Sequence, residues 1–397
     1  MKYRIILFLI LGVDAFVLFL QTSELSISYD EATLLYGEFS FLQLVVKASL
    51  SIFGTNDFAL RVPMITLHIS SAILLYIVSK KYIQREENRL WLILVFVLLP
   101  GVISSALLVD GAGLVIFGLL LFVYIYENYS KKYHYMWLAL LTLLDGGFMY
   151  LFFSLTVFAL YTKQKYFFLF NIVLFSISMY LYGINTEGLP KGHFLDSIGM
   201  NAAIFTPIIF IYLSYVLYKR YLTNQIDIVW FISSLTLIVS LVLSFRQRIH
   251  IENFAPYLIL ALPLGAQTFY SSYRVRLKMF RTKYKLIFII SLVFLFINSF
   301  VVICNKELYL LLDNPKTHFA YKMHIAKELA TQLRKRKIYC VNSKGEMQKR
   351  LKFYAISECE NNILIENSIK NIENSNVTIS YKNVPIYNAY VTKINTQ

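Results

Sequence analysis

Apolar residues in this chain come in long blocks rather than in alternation or on one helical stripe. Short polar connections separate the blocks. A bilayer imposes this pattern, because backbone groups inside it must be satisfied within each spanning segment. The blocks predict helices at about 4–20, 62–79, 90–108, 112–127, 136–144, 147–161, 166–183, 200–218, 227–245, 254–271 and 286–303, which makes about eleven spans. The stretch 136–161 admits one tilted helix, or two short ones broken at Asp145-Gly146-Gly147. The first block, Ile5 to Leu20, lacks a small-residue cleavage site and reads as a retained helix rather than a signal peptide.

Composition agrees with lipid as the solvent. Of the 397 residues 57% are hydrophobic and only 15% charged, against about 25% charged in soluble domains. The net charge of +15 raises the question of nucleic acid. Its placement in short loops between apolar blocks points instead to membrane orientation, with no nucleic-acid partner.

Charge also decides the doubtful break. With it, one side collects Lys2, Arg4, Lys80, Lys81, Arg85, Arg89, Lys131, Lys132, Lys163, Lys165, Lys219, Arg220 and the dense run from Arg274 to Lys285. The opposite loops hold only Lys47, Arg61, Lys191, Arg246 and Arg248. Without it the dense run would face outward, against the positive-inside rule. The N-terminus is then cytoplasmic and the C-terminal part extracytoplasmic.

The expected fold is an all-α polytopic membrane domain over residues 1–303 and a small α/β extracytoplasmic domain over 304–397. In the latter, 337–341, 363–366, 377–382 and 386–394 read as strands and 343–356 as a helix. Cys304, Cys340 and Cys359 form no metal pattern. Cys340 and Cys359 either pair in an oxidising compartment or remain thiols. There is no internal repeat, phosphate-cradling glycine loop or His/Cys metal spacing.

Acidic residues beside a membrane are costly and therefore informative. Asp30 and Glu31 are adjacent in the first long outer loop. On a helix such neighbours point about 100° apart, so one can take a proton while the other orients a substrate or metal. The alternative is a solvated helix N-terminus, where acids favour the macrodipole. Asp110 ends the next outer loop, on the same side, and reads as an N-cap or as part of a shared site. Asp14 lies within the first span, to pair with a basic group or line a hydrated cavity, and Asp145 reads as a cap at the break. Arg246 and Arg248 break the charge rule on the side poor in cations. Their forks suit phosphate oxygens, or alternatively lipid headgroups or Glu252. His250 lies beside them, a weaker signal by itself.

The segments YDEA (29–32), FGTNDFALRVP (53–63) and LLYIVSKKYI (74–83) resemble the GT-C glycosyltransferases, particularly bacterial relatives of protein O-mannosyltransferases and the lipid A aminoarabinose transferase. VDGAGLVIFGLLLFVYIY (109–126) is similar to the family's second acidic position, and LKFYAISEC (351–359) to an "FY" segment of its outer domain. The resemblance covers the first 130 residues well and later spans mainly through topology. It implies a bacterial inner-membrane enzyme of the cell envelope that moves a sugar from a polyprenyl-phosphate donor to a lipid, glycan or protein acceptor, with inversion. Asp30 would be the base, with Arg246, Arg248 and His250 at the donor phosphate. Glu31 and Asp110 would orient hydroxyls or hold a divalent cation, with no other cofactor implied. Arg61 would either tie the first outer loop to its neighbours or join the phosphate ligands. Where the family often has a threonine-lysine-glycine-proline turn, this chain has Asp145-Gly146-Gly147. That departure keeps an inactive scaffold as one alternative, and a polyprenyl-linked glycan transporter or flippase is another.

Cysteine labelling of intact cells and inverted vesicles tests the charge-derived topology. Residues 190, 250 and the C-terminus should react from outside, and residues 84, 130 and 278 from inside. A cytoplasmic residue 250 and C-terminus would overturn the eleven-helix arrangement.

Overall fold

The structure, a computed structural model, describes residues 2–183, 192–343, 345–367 and 377–393. Its helices, in chain order, begin with α1 (Lys2–Glu24), α2 (Tyr29–Tyr36), α3 (Phe41–Phe53), α4 (Asp57–Val78), α5 (Glu86–Leu98), α6 (Pro100–Leu107), α7 (Gly111–Asn128), α8 (Lys131–Leu144) and α9 (Met149–Tyr161). They continue with α10 (Lys165–Tyr182), α11 (Phe194–Phe205), α12 (Pro207–Leu222), α13 (Ile228–Ser244), α14 (Ala255–Ile259), α15 (Ala261–Val275) and α16 (Lys278–Ile303). After these come α17 (Ala326–Lys335), α18 (Glu346–Phe353) and the strands β1 (Asn362–Asn367), β2 (Val377–Tyr381) and β3 (Val384–Lys393).

Packing divides the chain into two units. The first comprises Met1–Phe16, Met64–Ala106 and Asp110–Ser299; the second comprises Val17–Pro63, Leu107–Val109 and Phe300–Gln397. The chain is thus not cut once near residue 303. The first long loop folds with the C-terminal segment, because the backbone of Ser26 and Ile27 bonds to Met323, Arg350 and Tyr354.

The first unit is a membrane protein's interior turned outward. On α1, Leu7 and Leu11 are buried while Ile5, Phe8, Leu9, Val13 and Phe16 are exposed. On α16, Leu295 is buried while Ile287, Ile290, Val293, Phe294 and Ile297 are exposed. In water such faces would cost roughly 25 cal/mol per Å² of apolar surface; in lipid they cost nothing comparable. Lys2–Glu24, Asp57–Lys81, Gly111–Asn128, Lys165–Tyr182 and Lys278–Ile303 are long and apolar enough to cross a bilayer.

Among the described residues these five become up to seven when two bent pairs count as spans, so the expected eleven are not reached by length and composition. The reason is that several predicted runs are broken. α5 and α6 bend by 62° at Pro100, and α11 and α12 by 105° at Pro207. Proline removes a backbone donor and clashes with the preceding turn. Residues 254–271 divide into α14 and α15. The break at Asp145-Gly146-Gly147 is present, ending α8 and opening a 3₁₀ turn at Gly146–Phe148 before α9. The expected loop residue Lys191 lies outside the described residues.

The second unit carries an antiparallel sheet of order β1-β3-β2, with Ile363 opposite Thr392 and Val377 opposite Ala389. Leu329, Ala330 and Leu333 of α17 share a core with Leu351, Val377, Ile379 and Ala389. The segment expected as a strand at 337–341 makes only a single bridge, Cys340 to Ser357, and β3 begins at Val384, two residues before the expected start at 386. Residue 394, the expected end of that strand, lies outside the described residues. Cys340 and Cys359 are disulfide-bonded and Cys304 is free.

Within this unit the His324 ring is buried against Tyr309, whose hydroxyl lies 2.9 Å from Nδ1. Burial, then the nearby Lys306 charge and His318, lowers its pKa from 6.5 to about 3. A histidine held neutral stabilises the fold fully above its unfolded pKa and loses that contribution as pH falls towards its folded one. The stability of the unit should therefore fall as pH drops from 6.5 towards about 3, by up to about 1.4 kcal/mol per pH unit, and its thermal midpoint with it. His324→Gln should flatten this slope, and an unchanged slope would show that the ring titrates normally.

Candidate functional site

The second unit is organised around Arg61, on α4. The residue is 0% exposed. Its Nε donates to Leu107 O at 2.7 Å, one terminal nitrogen to Thr22 O and Leu25 O at 3.4 and 3.0 Å, and the other to Ser26 O at 3.0 Å and Glu31 Oε2 at 3.3 Å. Every guanidinium N–H therefore has an acceptor. Glu31, 1% exposed, is engaged to the same extent. Its Oε2 also accepts Ser28 N–H at 2.7 Å and its Oε1 accepts Val109 N–H at 3.1 Å.

Ser28 and Glu31 close a capping box at the start of α2, the serine hydroxyl accepting Glu31 N–H at 3.1 Å. Glu31, expected in catalysis or at a metal, is buried with both carboxylate oxygens occupied. Arg61 takes the first of its two expected roles, tying the outer loop to its neighbours, and has no N–H left over for a phosphate.

Asp30 is the opposite case. One position earlier on the same helix turn it is exposed, with no hydrogen-bond partner among the described residues. The rotation between neighbours sends one acid into the core and leaves the other in solvent.

A set of residues not singled out from the sequence supports this turn. Tyr354 Oη accepts Ile27 N–H at 3.0 Å and donates to Asp57 at 2.5 Å, and Arg350 Nε donates to Ile27 O at 2.9 Å. Lys327 bridges Asp57 at 2.9 Å and Ser23 O at 2.8 Å. Burial, and then Asp57, raises the Tyr354 phenol pKa, so the hydroxyl stays a donor. Tyr354 is the tyrosine of the FY-containing segment at 351–359 and Arg350 directly precedes it, and that segment was the signal available in the sequence.

In the first unit, Asp110 caps α7, accepting Ala112 N–H at 3.0 Å. Asp145 caps the turn after α8, its Oδ1 accepting Gly147 N–H at 2.7 Å. The packing brings these two acids near one another through Gly111, where a Cβ would stand 2.9 Å from Asp145 Oδ2. Tyr257 Oη donates to Gly147 O at 2.6 Å and accepts Leu151 N–H at 3.0 Å, fixing the turn from beneath.

Above the turn lies a mostly polar cavity of about 220 Å³, lined by Asp145, Tyr150, Tyr182, Gln247, His250 and Asn253 among others. Arg246 and Arg248 are exposed and do not line it. His250, expected at a phosphate beside them, faces this cavity instead. Asp14 meets His68 Nε2 at 2.7 Å, the pairing with a basic group expected inside a span.

The residues do not fit the suggested divalent cation. Glu31 has no free oxygen, Asp110 is a helix cap, and no group of three or more His, Cys, Asp or Glu among the described residues is arranged to hold a metal.

No family model matches the chain, and no curated protein does. Among solved structures it is similar to the crystal structure of ArnT from Cupriavidus metallidurans bound to undecaprenyl phosphate. Identity is 10%, the match covers 87% of this chain and 74% of that one, and the TM-score is 0.48. A likeness this loose carries no argument about chemistry, which has to come from the residues themselves.

Arg61→Lys keeps the charge but loses the fork, leaving buried carbonyls and Glu31 without donors. It should destabilise the second unit by about 3–5 kcal/mol, whereas Asp30→Asn should change stability by about 1 kcal/mol or less. Thermal unfolding of both variants measures the contrast. Equal, small effects would mean that Arg61 does not hold the unit together.

Proposed function

We propose that this chain is a glycosyltransferase of the bacterial inner membrane. It would move a sugar from a polyprenyl-phosphate donor to a hydroxyl of an extracytoplasmic lipid, glycan or protein acceptor. The observation that carries this reading is the state of Asp30. It is an exposed carboxylate without a partner among the described residues, on a helix turn held by the buried Glu31–Arg61 pair. The buried pair fixes the turn, so the carboxylate has a set position in this reading. The motif that supplies Arg61 is also the one that carries the GT-C resemblance.

In the proposed reaction Asp30 takes the proton of the acceptor hydroxyl as its oxygen attacks the anomeric carbon. The bond from that carbon to the phosphate oxygen breaks, and polyprenyl phosphate leaves. One in-line displacement inverts the anomeric centre. The exposed forks of Arg246 and Arg248 suit the charge that grows on the leaving phosphate. Activation is already stored in the donor, so no nucleotide site is needed. The Cys340–Cys359 disulfide supports an extracytoplasmic second unit, since such bonds persist in oxidising compartments.

Purified protein in lipid nanodiscs, given polyprenyl-phosphate sugars and envelope acceptors, tests the proposal. A positioned base contributes about 10²–10⁴-fold, so Asp30→Asn should lower kcat by that range with little change in donor affinity. Near-normal turnover in Asp30→Asn would place the base elsewhere, and no transfer by the unsubstituted protein with any donor would end the enzyme reading.

A further inference from the structure

We infer that the polar cavity at the Asp145-Gly146-Gly147 turn is a pocket for one sugar ring, the glycosyl unit of the donor. This rests on the transferase reading above and goes further by assigning the ring a place and a chemistry.

Size is the first argument. At about 220 Å³ the cavity has room for one ring with its hydroxyls.

The wall chemistry is the second. Neighbouring hydroxyls on a ring are best met by planar groups with paired polar atoms, and the lining supplies one carboxylate, Asp145, and two amides, Gln247 and Asn253. Tyr150 and Tyr182 add aromatic surface for the ring's C–H edges.

Charge is the third. Asp145 contributes a carboxylate and His250 an imidazole, and no lysine or arginine lines the cavity among the described residues. A phosphate would meet repulsion there, whereas hydroxyl donors would relieve the cost of burying the carboxylate. One short segment separates the two chemistries. Gln247 lines the cavity, while Arg246 and Arg248 on either side of it are exposed.

Rigidity is the fourth. A Cβ at Gly146 would lie 3.0 Å from the Tyr182 side chain, and one at Gly147 would lie 2.8 Å from Val115. The glycine pair thus lets the walls close to this distance. With Tyr257 bonded beneath, the pocket is formed before any ligand arrives, which lowers the ordering cost of binding.

The test uses full-length protein in nanodiscs, carrying Gln247→Cys in a Cys304→Ser background, and a water-soluble maleimide. Methyl glycosides of neutral and amino hexoses and pentoses are the probes, with inorganic phosphate as the contrast. At least one glycoside should slow alkylation, about threefold at twice its Kd, and phosphate should not. Should no glycoside slow it, or phosphate slow it equally, the pocket is not a sugar site.

To guard against a loop disturbed by the cysteine, saturation-transfer NMR on the unsubstituted protein should show contact to the same glycoside's ring protons. Its absence would overturn the inference too. Glycoside protection without any sugar transfer would leave the pocket standing and sink the transferase reading. Transfer by Asp145→Ala at an unchanged donor KM would sink the pocket and leave the transferase.

Discussion

A guanidinium with no exposure to water keeps its charge only if each of its N–H groups finds an acceptor, and Arg61 meets that demand with four backbone carbonyls and one carboxylate. The desolvation cost of such a group is several kcal/mol, so the surrounding backbone has little freedom to move without exposing it. Residues 22–26, the first turn of α2 and Leu107 are thereby tied to α4. Pro63, two positions on, sits within the same helix. The arrangement explains why an arginine stands in an otherwise apolar Ala-Leu-Arg-Val-Pro run: it is a clamp on backbone, and the acid opposite it completes the set of acceptors.

The clamp divides labour between two adjacent acids. Glu31 is spent on structure, and its capping box holds the turn that presents Asp30. A second layer, made by Tyr354, Arg350, Asp57 and Lys327, holds the extended residues that lead into that turn. Such layering fixes the position of the turn that carries Asp30.

The first unit solves a different problem with similar means. Polar groups among apolar helices are placed where backbone donors are left over. Asp110 and Asp145 each satisfy an N–H at a helix or turn start. Asp145 nevertheless retains a second oxygen near Gly111 and the cavity, and burial raises its pKa while the Gly147 N–H lowers it. Broken helices are tolerable beside lipid only when their ends are satisfied in this way.

Lipid as the solvent, the break at the two glycines, the strands at 363–366 and 377–382 and the caps at Asp110 and Asp145 were legible in the sequence. Each follows from a local cause: the length of an apolar run, the freedom of glycine, the alternation of a strand, or the short side chain of aspartate. The adjacency of Asp30 and Glu31 was legible as well, but not which acid faces inward. The burial of Arg61, the packing of residues 17–63 with the C-terminal segment, the support from Arg350 and Tyr354, and the closeness of Asp145 to Gly111 were decided by tertiary structure alone. These depend on groups that lie between 30 and 327 positions apart meeting within one unit or the other. Local propensity carries no information about such meetings. What settles them is the requirement that buried charges and backbone groups find partners wherever the fold brings them together.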